Sequence, residues 1–449
     1  MKSIIYFLSI CFVVYFFSSC TEFLDAKPSV KMTIPETGED LYSVLNNVNT
    51  MNYNFTSGLS EIASDNVYLL PSTWLGLPAE NYRAAYTWNN EVIVSYWNNG
   101  YKKISVANVV IDHIDKVDYK KLSERDELLG IAHFFRAYSY YELAQVFIKP
   151  YMTANLEDYG LVLRESSDAS EKSVRSTVAN TYNQIVADYK NAAQHLPVTK
   201  PLYPTRPYKA SAFAALARTY LVMGNFNQAK LYADSCLIIQ NKIMKYESIQ
   251  HRAYPFQKFN EEVIFFAQLN GFGILSESTA RVDNILYSSY SDEDLRKKLF
   301  FAKKADGYFS FVGDYGMNSN SSKFSGLSVP EVILIQAECL TRLGNLDAAK
   351  ESLERLLVDR YIKNASPVLS DLNQDDLLKL ILNERRKELV FRGIRWTDMR
   401  RLTTELLEND KWTRDLGDEK FIMSKERLNN FAYKIPELVI DISGIPQND

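Results

Sequence analysis

Cysteine and histidine are scarce in this chain of 449 residues, which contains four of each. Two of the cysteines, Cys236 and Cys339, stand alone in apolar stretches with helical spacing, so we expect buried thiols rather than disulfides or a CxxC pair. The histidines are too far apart in sequence to form a metal-binding pair at i+3 to i+5; they are His113, His133, His195 and His251. These absences argue against a metal centre and against a disulfide framework.

Motifs that carry catalytic chemistry are also missing. The sequence has no HExxH, GxSxG, P-loop or DxDxDG calcium loop. Pairs of carboxylates such as Asp292 and Asp294 are common in a chain with 55 acidic residues, whereas a retaining glycosidase needs two carboxyl groups about 5 Å apart in space. We therefore predict no catalytic residues, no cofactor and no metal, and we expect a protein that is not an enzyme.

Glycine and proline are infrequent as well, at 17 and 14 residues, while 46% of the chain is hydrophobic. This composition excludes a disordered or collagen-like polymer and is typical of a protein with a large packed core. The formal net charge is only −4 and no block of basic residues is present, so nucleic acid is not an expected partner. Because no linker composition follows residue 35, we predict a single domain over residues 36–449.

The N-terminus carries an apolar run that is too short to cross a membrane. The fourteen residues Ile4–Phe17 would rise about 21 Å as a helix, against a hydrocarbon core of about 30 Å. The sequence Ser18-Ser19-Cys20 follows, and small residues before a cysteine are typical of a bacterial lipobox. We predict a signal peptide over residues 1–19 and a lipidated tether, beginning at Cys20, over residues 20–35. The alternative is an ordinary signal peptide with an incidental cysteine.

An internal repeat is the clearest structural pattern. The segments Phe213–Leu237 and Ile333–Leu357 align at an offset of 120 residues, with Gly224-Asn225 matching Gly344-Asn345. Each segment predicts two helices, in which apolar residues at spacings of three and four lie on one face. The glycine between these two helices suits a left-handed turn. This helix–turn–helix unit is similar to a tetratricopeptide repeat. The sequence therefore predicts a mainly α fold built on a tetratricopeptide-like scaffold of helical hairpins.

Further helical periods provide neighbours for these two hairpins. We predict one helix from about Leu128 to Phe147, a second from Tyr182 to Leu196 and a third from Leu377 to Arg392. Long irregular loop insertions lie between the helices, and such segments commonly carry function. They are expected at residues 49–90, 148–172 and 242–327.

Several motifs resemble those of the SusD/RagB family of nutrient-uptake lipoproteins of Bacteroidetes. Near the N-terminus, Cys20 followed by Phe23-Leu24-Asp25 and Pro28 is similar to the start of the mature family members. A more specific resemblance lies near the C-terminus, where Arg392 stands in place of the usual glutamate. This C-terminal signature comprises Glu384-Arg385-Arg386-Lys387-Glu388-Leu389, Phe391, Gly393, Arg395-Trp396, Asp398 and Arg400-Arg401. Its alternating charges are expected to form structural ion pairs rather than a ligand site.

The resemblance implies a lipid-anchored protein of the cell outer membrane, exposed at the surface, that acts as a lid on a SusC-like TonB-dependent transporter. The implied ligand is an oligosaccharide, although some family members capture peptides. The second hypothesis, from another class, is a helical-repeat scaffold that binds only protein partners. An aromatic ring exposed beside polar side chains in a concave surface would favour the glycan, whereas buried rings would favour the scaffold.

Candidate ligand residues follow from the chemistry of sugars, whose apolar C–H face stacks on flat rings while polar side chains bind the hydroxyl groups. Trp74 lies between two prolines, where we expect no regular element to bury it, and Asp65 and Asn66 precede it as polar partners. Trp97 and Trp396 are instead expected to pack in the core. The remaining ring candidates are Trp88, Tyr287, Tyr290, Tyr308 and Tyr315, with Arg281 and Asp314 as weaker polar candidates.

Overall fold

The computed structural model describes residues 35–89, 94–317, 320–403 and 411–448, and those from Thr37 onward belong to one compact unit. Within the described residues there are eighteen α-helices and ten strands of two to five residues, so the predicted mainly α class is confirmed. The helices are α1 Gly38–Leu45, α2 Val48–Met51, α3 Ser57–Ala63, α4 Pro71–Leu75, α5 Glu80–Tyr86, α6 Val94–His113, α7 Leu122–Phe147, α8 Val178–His195, α9 Lys209–Val222, α10 Phe226–Ile239, α11 Asn284–Ser288, α12 Leu295–Phe300, α13 Val329–Arg342, α14 Leu346–Leu357, α15 Gln374–Glu388, α16 Arg395–Leu402, α17 Lys425–Asn430 and α18 Glu437–Ser443. The strands are β1 Val67–Tyr68, β2 Tyr159–Val162, β3 Arg175–Thr177, β4 Val263–Phe265, β5 Arg281–Val282, β6 Phe301–Lys303, β7 Phe309–Phe311, β8 Leu327–Ser328, β9 Lys411–Asp415 and β10 Lys420–Ser424.

The two predicted hairpins are present as α9–α10 and α13–α14. Their turn glycines adopt the left-handed conformation that the repeat requires, with φ of +72° at Gly224 and +78° at Gly344. Asn225 begins the second helix of the first hairpin, because its side chain accepts a hydrogen bond from the amide of Gln228 at 3.2 Å. The small residues Ala229 and Ala349 are fully buried, which lets the paired helices approach closely.

The hairpins pack on each other and on their neighbours to form one scaffold. Helix α10 contacts α13, while α6, α7, α8 and α9 pack in chain order, and α15 covers α13 and α14. A buried ion pair joins the hairpins, because the Arg218 guanidinium in α9 donates to both carboxylate oxygens of Glu331 in α13 at 2.7 and 2.6 Å. The scaffold is therefore continuous through α6–α10 and α13–α15.

The third predicted helix ends earlier than expected. Helix α15 stops at Glu388, four residues before Arg392, because Phe391 and Gly393 adopt positive φ values of 60° and 74°. The Gly393 turn lies against α3, and a β-carbon added there would lie 2.6 Å from that of Ser57. This close approach explains why a glycine stands at that position. The helices predicted at Leu128–Phe147 and Tyr182–Leu196 are confirmed as α7 and α8.

The irregular segments contain more structure than the sequence indicated. The expectation of an irregular span at residues 49–90 is wrong in part, since the short helices α3, α4 and α5 lie within it. Each described sheet has only two antiparallel strands. Strands β4 and β8 pair at the base of residues 266–326, here called the insertion, whose strands β6 and β7 form a hairpin. Strand β5 of the insertion pairs with β1. The insertion therefore contacts residues 57–68, which run from α3 to β1 and are here called the early segment.

Cys236 and Cys339 are free, buried thiols, as expected. The predicted signal peptide over residues 1–19 and the lipidated Cys20 lie outside the described residues. Among the residues that the structure does describe, no helix combines the length and the apolar character needed to cross a membrane.

The Arg218–Glu331 pair gives a direct test of the scaffold. In an Arg218→Met variant the buried Glu331 carboxylate loses its partner, and we expect a loss of about 3 kcal/mol in the free energy of unfolding. The double variant Arg218→Met, Glu331→Leu should recover most of that loss, because no buried charge remains. Chemical denaturation of the wild type, both single variants and the double variant measures the coupling. If the losses in free energy of unfolding of the two single variants simply add up in the double variant, the Arg218–Glu331 pair does not stabilise the scaffold.

Candidate functional site

Trp74, the first predicted sugar platform, is buried. Only 6% of its surface is exposed, so the expectation that no regular element covers it is wrong. Pro71 begins the short helix α4, which carries the indole inward, where its Nε1 donates to the Arg83 carbonyl at 3.3 Å. The Phe421 ring of β10 packs against it at a centroid distance of 5.8 Å. Trp74 therefore cannot stack on a ligand in this conformation.

Trp88 is a structural residue as well. It is 1% exposed, its Nε1 donates to the Ala63 carbonyl at 2.7 Å, and the Arg414 guanidinium lies over its ring at 4.7 Å. Trp97 and Trp396 are buried at 5% and 1%, which agrees with the expectation that both pack in the core.

Asp65 and Asn66 attach the early segment to the C-terminal signature. The Asp65 carboxylate accepts two hydrogen bonds from Arg395, at 2.6 and 2.8 Å, and forms an ion pair with Arg386 at 3.3 Å. Burial by itself would raise the pKa of Asp65, but these two guanidinium groups outweigh it and hold the pKa well below its usual range. Asn66 is fully buried and binds Glu61 and Arg386. Neither side chain is available to a ligand.

Glu61 makes the second attachment between the same two regions. Its carboxylate is fully buried, and it accepts hydrogen bonds from the Gly393 amide at 2.7 Å and from the Asn66 side chain at 3.1 Å. Burial raises the pKa of Glu61 to about 7, although those hydrogen bonds partly oppose the shift. The protonated acid is therefore favoured in the folded protein over much of the acidic range.

Tyr290 and Tyr315, two of the predicted ring candidates, are each 1% exposed and cannot contact a ligand. The Tyr290 hydroxyl donates to the Lys387 carbonyl at 2.8 Å. The Tyr315 hydroxyl donates to Glu262, and the Arg392 guanidinium lies over its ring at 4.2 Å. Arg392, which replaces the usual glutamate of the signature, thus packs on an aromatic ring of the insertion.

Both tyrosines border a buried network of ion pairs, here called the ionic network. Arg296 of the insertion binds Asp294, Glu384 and Glu388 at 2.8, 2.5 and 3.1 Å. Arg360 binds Glu388 at 3.0 Å and Glu262 at 2.6 Å. The Lys387 ammonium completes the network with Asp294 and Glu384, each at 2.8 Å. The expectation that the C-terminal signature forms structural ion pairs is confirmed.

Tyr287 and Tyr308 are the predicted ring candidates that remain partly exposed. The Tyr287 ring stacks on Phe309 with a centroid distance of 3.7 Å and an interplanar angle of 15°. The Tyr308 ring stacks on Tyr68 at 5.1 Å and 24°. All four rings are half-buried and lie on or beside the β6–β7 hairpin, and we call them the hairpin platform.

Charged side chains lie next to these rings. The Arg281 side chain, opposite Tyr68 across the β1–β5 pair, donates to Asp306 at 2.8 Å, and Asp306 also accepts from the Tyr308 amide at 3.0 Å. The Lys297 ammonium lies 5.5 Å from the Tyr287 ring centre. The weaker candidate Arg281 is thus near the rings, whereas Asp314 is buried and accepts from the Phe324 amide.

Partly exposed rings beside charged side chains are residue types that suit the binding of a sugar. Flat, partly exposed rings can cover the apolar side of a sugar, and neighbouring carboxylate and cationic groups can hold its hydroxyl groups. Within the described residues, no group of three or more His, Cys, Asp or Glu side chains is placed to hold a metal ion.

Sequence reasoning missed Tyr68 and Phe309. Tyr68 joins the platform only because β1 pairs with β5, a contact between distant parts of the chain. Phe309 had a local signal, since Asp306-Gly307 before the alternating Tyr308-Phe309-Ser310-Phe311 is typical of a hairpin turn.

Two family models match the sequence. Residues 22–221 match the model described as "Starch-binding associating with outer membrane", and residues 324–438 match the model of the SusD family. Among curated proteins, the chain is 23% identical over 381 residues to SusD-like protein P2 of Formosa agariphila, covering 70% of this chain and 72% of that protein.

Solved structures share the fold. A SusD superfamily protein from Bacteroides thetaiotaomicron, 21% identical, aligns over 92% of this chain and 100% of its own with a TM-score of 0.75. A putative sugar binding protein from Bacteroides vulgatus, 20% identical, gives 0.74 over 93% and 99%. A laminarin binding SusD-like protein, 17% identical, gives 0.67 over 92% and 99%.

The raised pKa of Glu61 predicts a pH dependence of stability. Its folded-state pKa of about 7 exceeds the ordinary value of 4.5, so its contribution is fully present below about pH 4.5 and is lost as the pH rises through 7. Between pH 5 and pH 8 we expect the free energy of unfolding of the wild type to fall, relative to a Glu61→Gln variant, by on the order of 2 kcal/mol. Urea denaturation of both proteins across this range measures the difference. A constant difference would show that Glu61 does not titrate there.

Proposed function

Because this chain belongs to the SusD family of outer-membrane-associated carbohydrate-binding proteins, we propose that it captures an oligosaccharide at the cell surface and delivers it to a SusC-like TonB-dependent transporter. The hairpin platform is the site that we propose for capture. The observation that carries this assignment is the pair of stacked, half-exposed ring systems, Tyr287 with Phe309 and Tyr308 with Tyr68. The laminarin binding relative supports a glycan as the ligand class.

The stacked pairs favour a sugar because each ring is held in place by the ring on which it packs. A half-exposed tyrosine that already packs on a second ring loses little side-chain entropy on binding, so more of the stacking energy contributes to affinity. Asp306 is fixed by Arg281 and by the Tyr308 amide, which places a carboxylate acceptor beside the ring. A rigid ring with an adjacent acceptor is the arrangement that a pyranose needs.

The protein-only scaffold remains the second candidate, since the burial of Trp74 and Trp88 removes two rings from the surface. Peptide capture remains a further alternative, because among the described strands β6 and β7 pair only with each other and β5 only with β1, so each of these short strands keeps one unpaired edge. A peptide that adds a strand needs an open edge with unpaired backbone groups.

Surface anchoring is a separate part of the proposal. We expect Cys20 to carry the lipid, which holds the protein on the outer membrane. A Cys20→Ala variant should appear in the soluble fraction of lysed cells and lose incorporated radioactive palmitate. If the variant still requires detergent for extraction, the anchor lies elsewhere.

Substitution of the platform tyrosines tests glycan capture. We expect Tyr308→Ala and Tyr287→Ala each to weaken binding about tenfold, since loss of one stacking ring removes about 1.4 kcal/mol. Affinity electrophoresis in gels that contain laminarin, or another polysaccharide that the wild type binds, measures the change. Tyr308→Phe keeps the ring and should retain most of the binding.

Tyr159 offers a matched control, because it is a tyrosine with 54% of its surface exposed that lies on β2, outside the platform. Tyr159→Ala should bind like the wild type. Unchanged retention of both platform variants, with melting temperatures that confirm folding, would contradict the assignment of capture to the hairpin platform.

A further inference from the structure

A second concave surface lies away from the hairpin platform. The loop that joins α8 to α9, the turn between α1 and α2, and the segment before β4 enclose a cleft of ≈ 550 Å³, here called the Tyr203 cleft. Its main side chains are those of Asn46, Tyr53, Tyr203, Arg206, Lys258 and Phe259. None of these residues was a sequence candidate, and none belongs to the platform.

Aromatic rings form the walls of the Tyr203 cleft. The Tyr203 side chain is 61% exposed, and its ring centre lies 6.3 Å from that of Phe259. Phe259 adopts a positive φ of 62°, uncommon for a residue with a bulky side chain, and its ring packs edge-on against the buried Phe266 at 5.0 Å. The packing against Phe266 fixes the orientation of a ring that borders the cleft.

Lys258 places a positive charge among these rings. Its ammonium lies 5.8 Å from the Tyr53 ring centre, 5.0 Å from that of Phe259 and 4.9 Å from that of Phe266, and it donates to the Tyr53 hydroxyl at 3.3 Å. Among the described residues, no carboxylate oxygen lies within the 4.0 Å of an ion pair with it. The cleft therefore contains an exposed cation without an anionic partner.

The polar rim of the cleft is held in place. The Arg206 guanidinium donates to Glu127 at 3.3 Å and to the Asn46 side chain at 3.2 Å, and it lies 5.1 Å from the Tyr42 ring centre. Since Glu127 compensates the charge of Arg206, the charge available to a ligand comes from Lys258. Asn46 is exposed and adds an amide that can bind a hydroxyl group.

The backbone of the loop does not favour a peptide. The Pro204 carbonyl accepts from the Phe266 amide at 2.7 Å, and the Thr205 carbonyl accepts from the Asn52 side chain at 2.8 Å. The Tyr203 carbonyl accepts from the Arg206 amide at 3.1 Å. Backbone groups that are already paired cannot add a peptide strand, so recognition in the cleft depends on side chains.

We propose that the Tyr203 cleft is a second saccharide site, and that it takes a sugar residue bearing a carboxylate or a sulfate. The rings of Tyr203 and Phe259 cover the apolar face of the sugar, and the Lys258 ammonium binds its anionic group. The protein carries a net charge of −4, so a local cation is needed to offset the repulsion of an acidic ligand.

Titration calorimetry with the mature chain tests this assignment. The probes are oligogalacturonate, oligoalginate and a sulfated galactan oligosaccharide, with methyl-esterified oligogalacturonide as the uncharged comparison and tetraglutamate as an acidic peptide. We expect at least one acidic sugar to bind, more tightly than the uncharged comparison and tetraglutamate. Its affinity should fall about fivefold in Lys258→Met, the size of one exposed ion pair, and should weaken with added salt. Tyr203→Ala should cost about tenfold.

Two further variants separate this site from other effects. Lys363→Met removes another exposed lysine, and Tyr308→Ala alters only the hairpin platform, so neither should change binding of the acidic sugar in the cleft. No binding of any acidic probe would overturn the proposal. Binding that Lys258→Met and Tyr203→Ala leave unchanged would also overturn it, as would equal affinity for tetraglutamate, because charge alone would then explain recognition.

Discussion

The position of the insertion depends on the ionic network that joins it to helix α15. Seven charged side chains, each at most 2% exposed, contribute to it: Glu262, Asp294, Arg296, Arg360, Glu384, Lys387 and Glu388. Burial of isolated charges costs several kcal/mol per group, so such a network persists only when each charge has partners of the opposite sign. Here three cations face four carboxylates. Burial alone would raise the pKa of Glu388, but Arg360 and Arg296 hold it below its usual value, and Arg392 lowers it further. Most members bind more than one partner, so the ion pairs fix the insertion and α15 together from several directions.

The network explains why a segment with little regular structure has a defined shape. Asp294 and Arg296 lie at the start of α12, just before the β6–β7 hairpin. Phe311 of that hairpin stacks on Phe391 at 4.9 Å and 10°, which adds an apolar contact with the same C-terminal region. On the other side, Asp65 and Glu61 attach the early segment to the signature, and β1 pairs with β5. The half-buried rings of the platform are thus held between three fixed regions: α12 with its ionic network, the C-terminal region that contains Phe391, and the early segment.

The parts of the fold that local patterns specify were predictable from the sequence. In each hairpin, the apolar period of 3.6 residues and the turn glycine fall within one stretch of 25 residues, so both hairpins could be derived. The same period specifies the helices α7 and α8. The burial of Trp74 could not be, because the ring that covers it is Phe421, and the role of Asp65 depends on Arg395, 330 residues away. Of the ring candidates, Tyr287 and Tyr308 remain near the surface, while Tyr290 and Tyr315 border a network that no local pattern reveals. The Tyr203 cleft joins three separate segments and has no sequence signature of its own.

The crystal structure of the protein with a bound oligosaccharide tests the central claim most directly, namely that the ionic network holds the hairpin platform ready for a sugar. We predict that the apolar face of one sugar ring lies within about 4 Å of the Tyr287 or Tyr308 ring, with the network distances unchanged from the free protein. A ligand bound elsewhere with the platform empty, or a platform whose rings separate from Phe309 and Tyr68, would contradict this account.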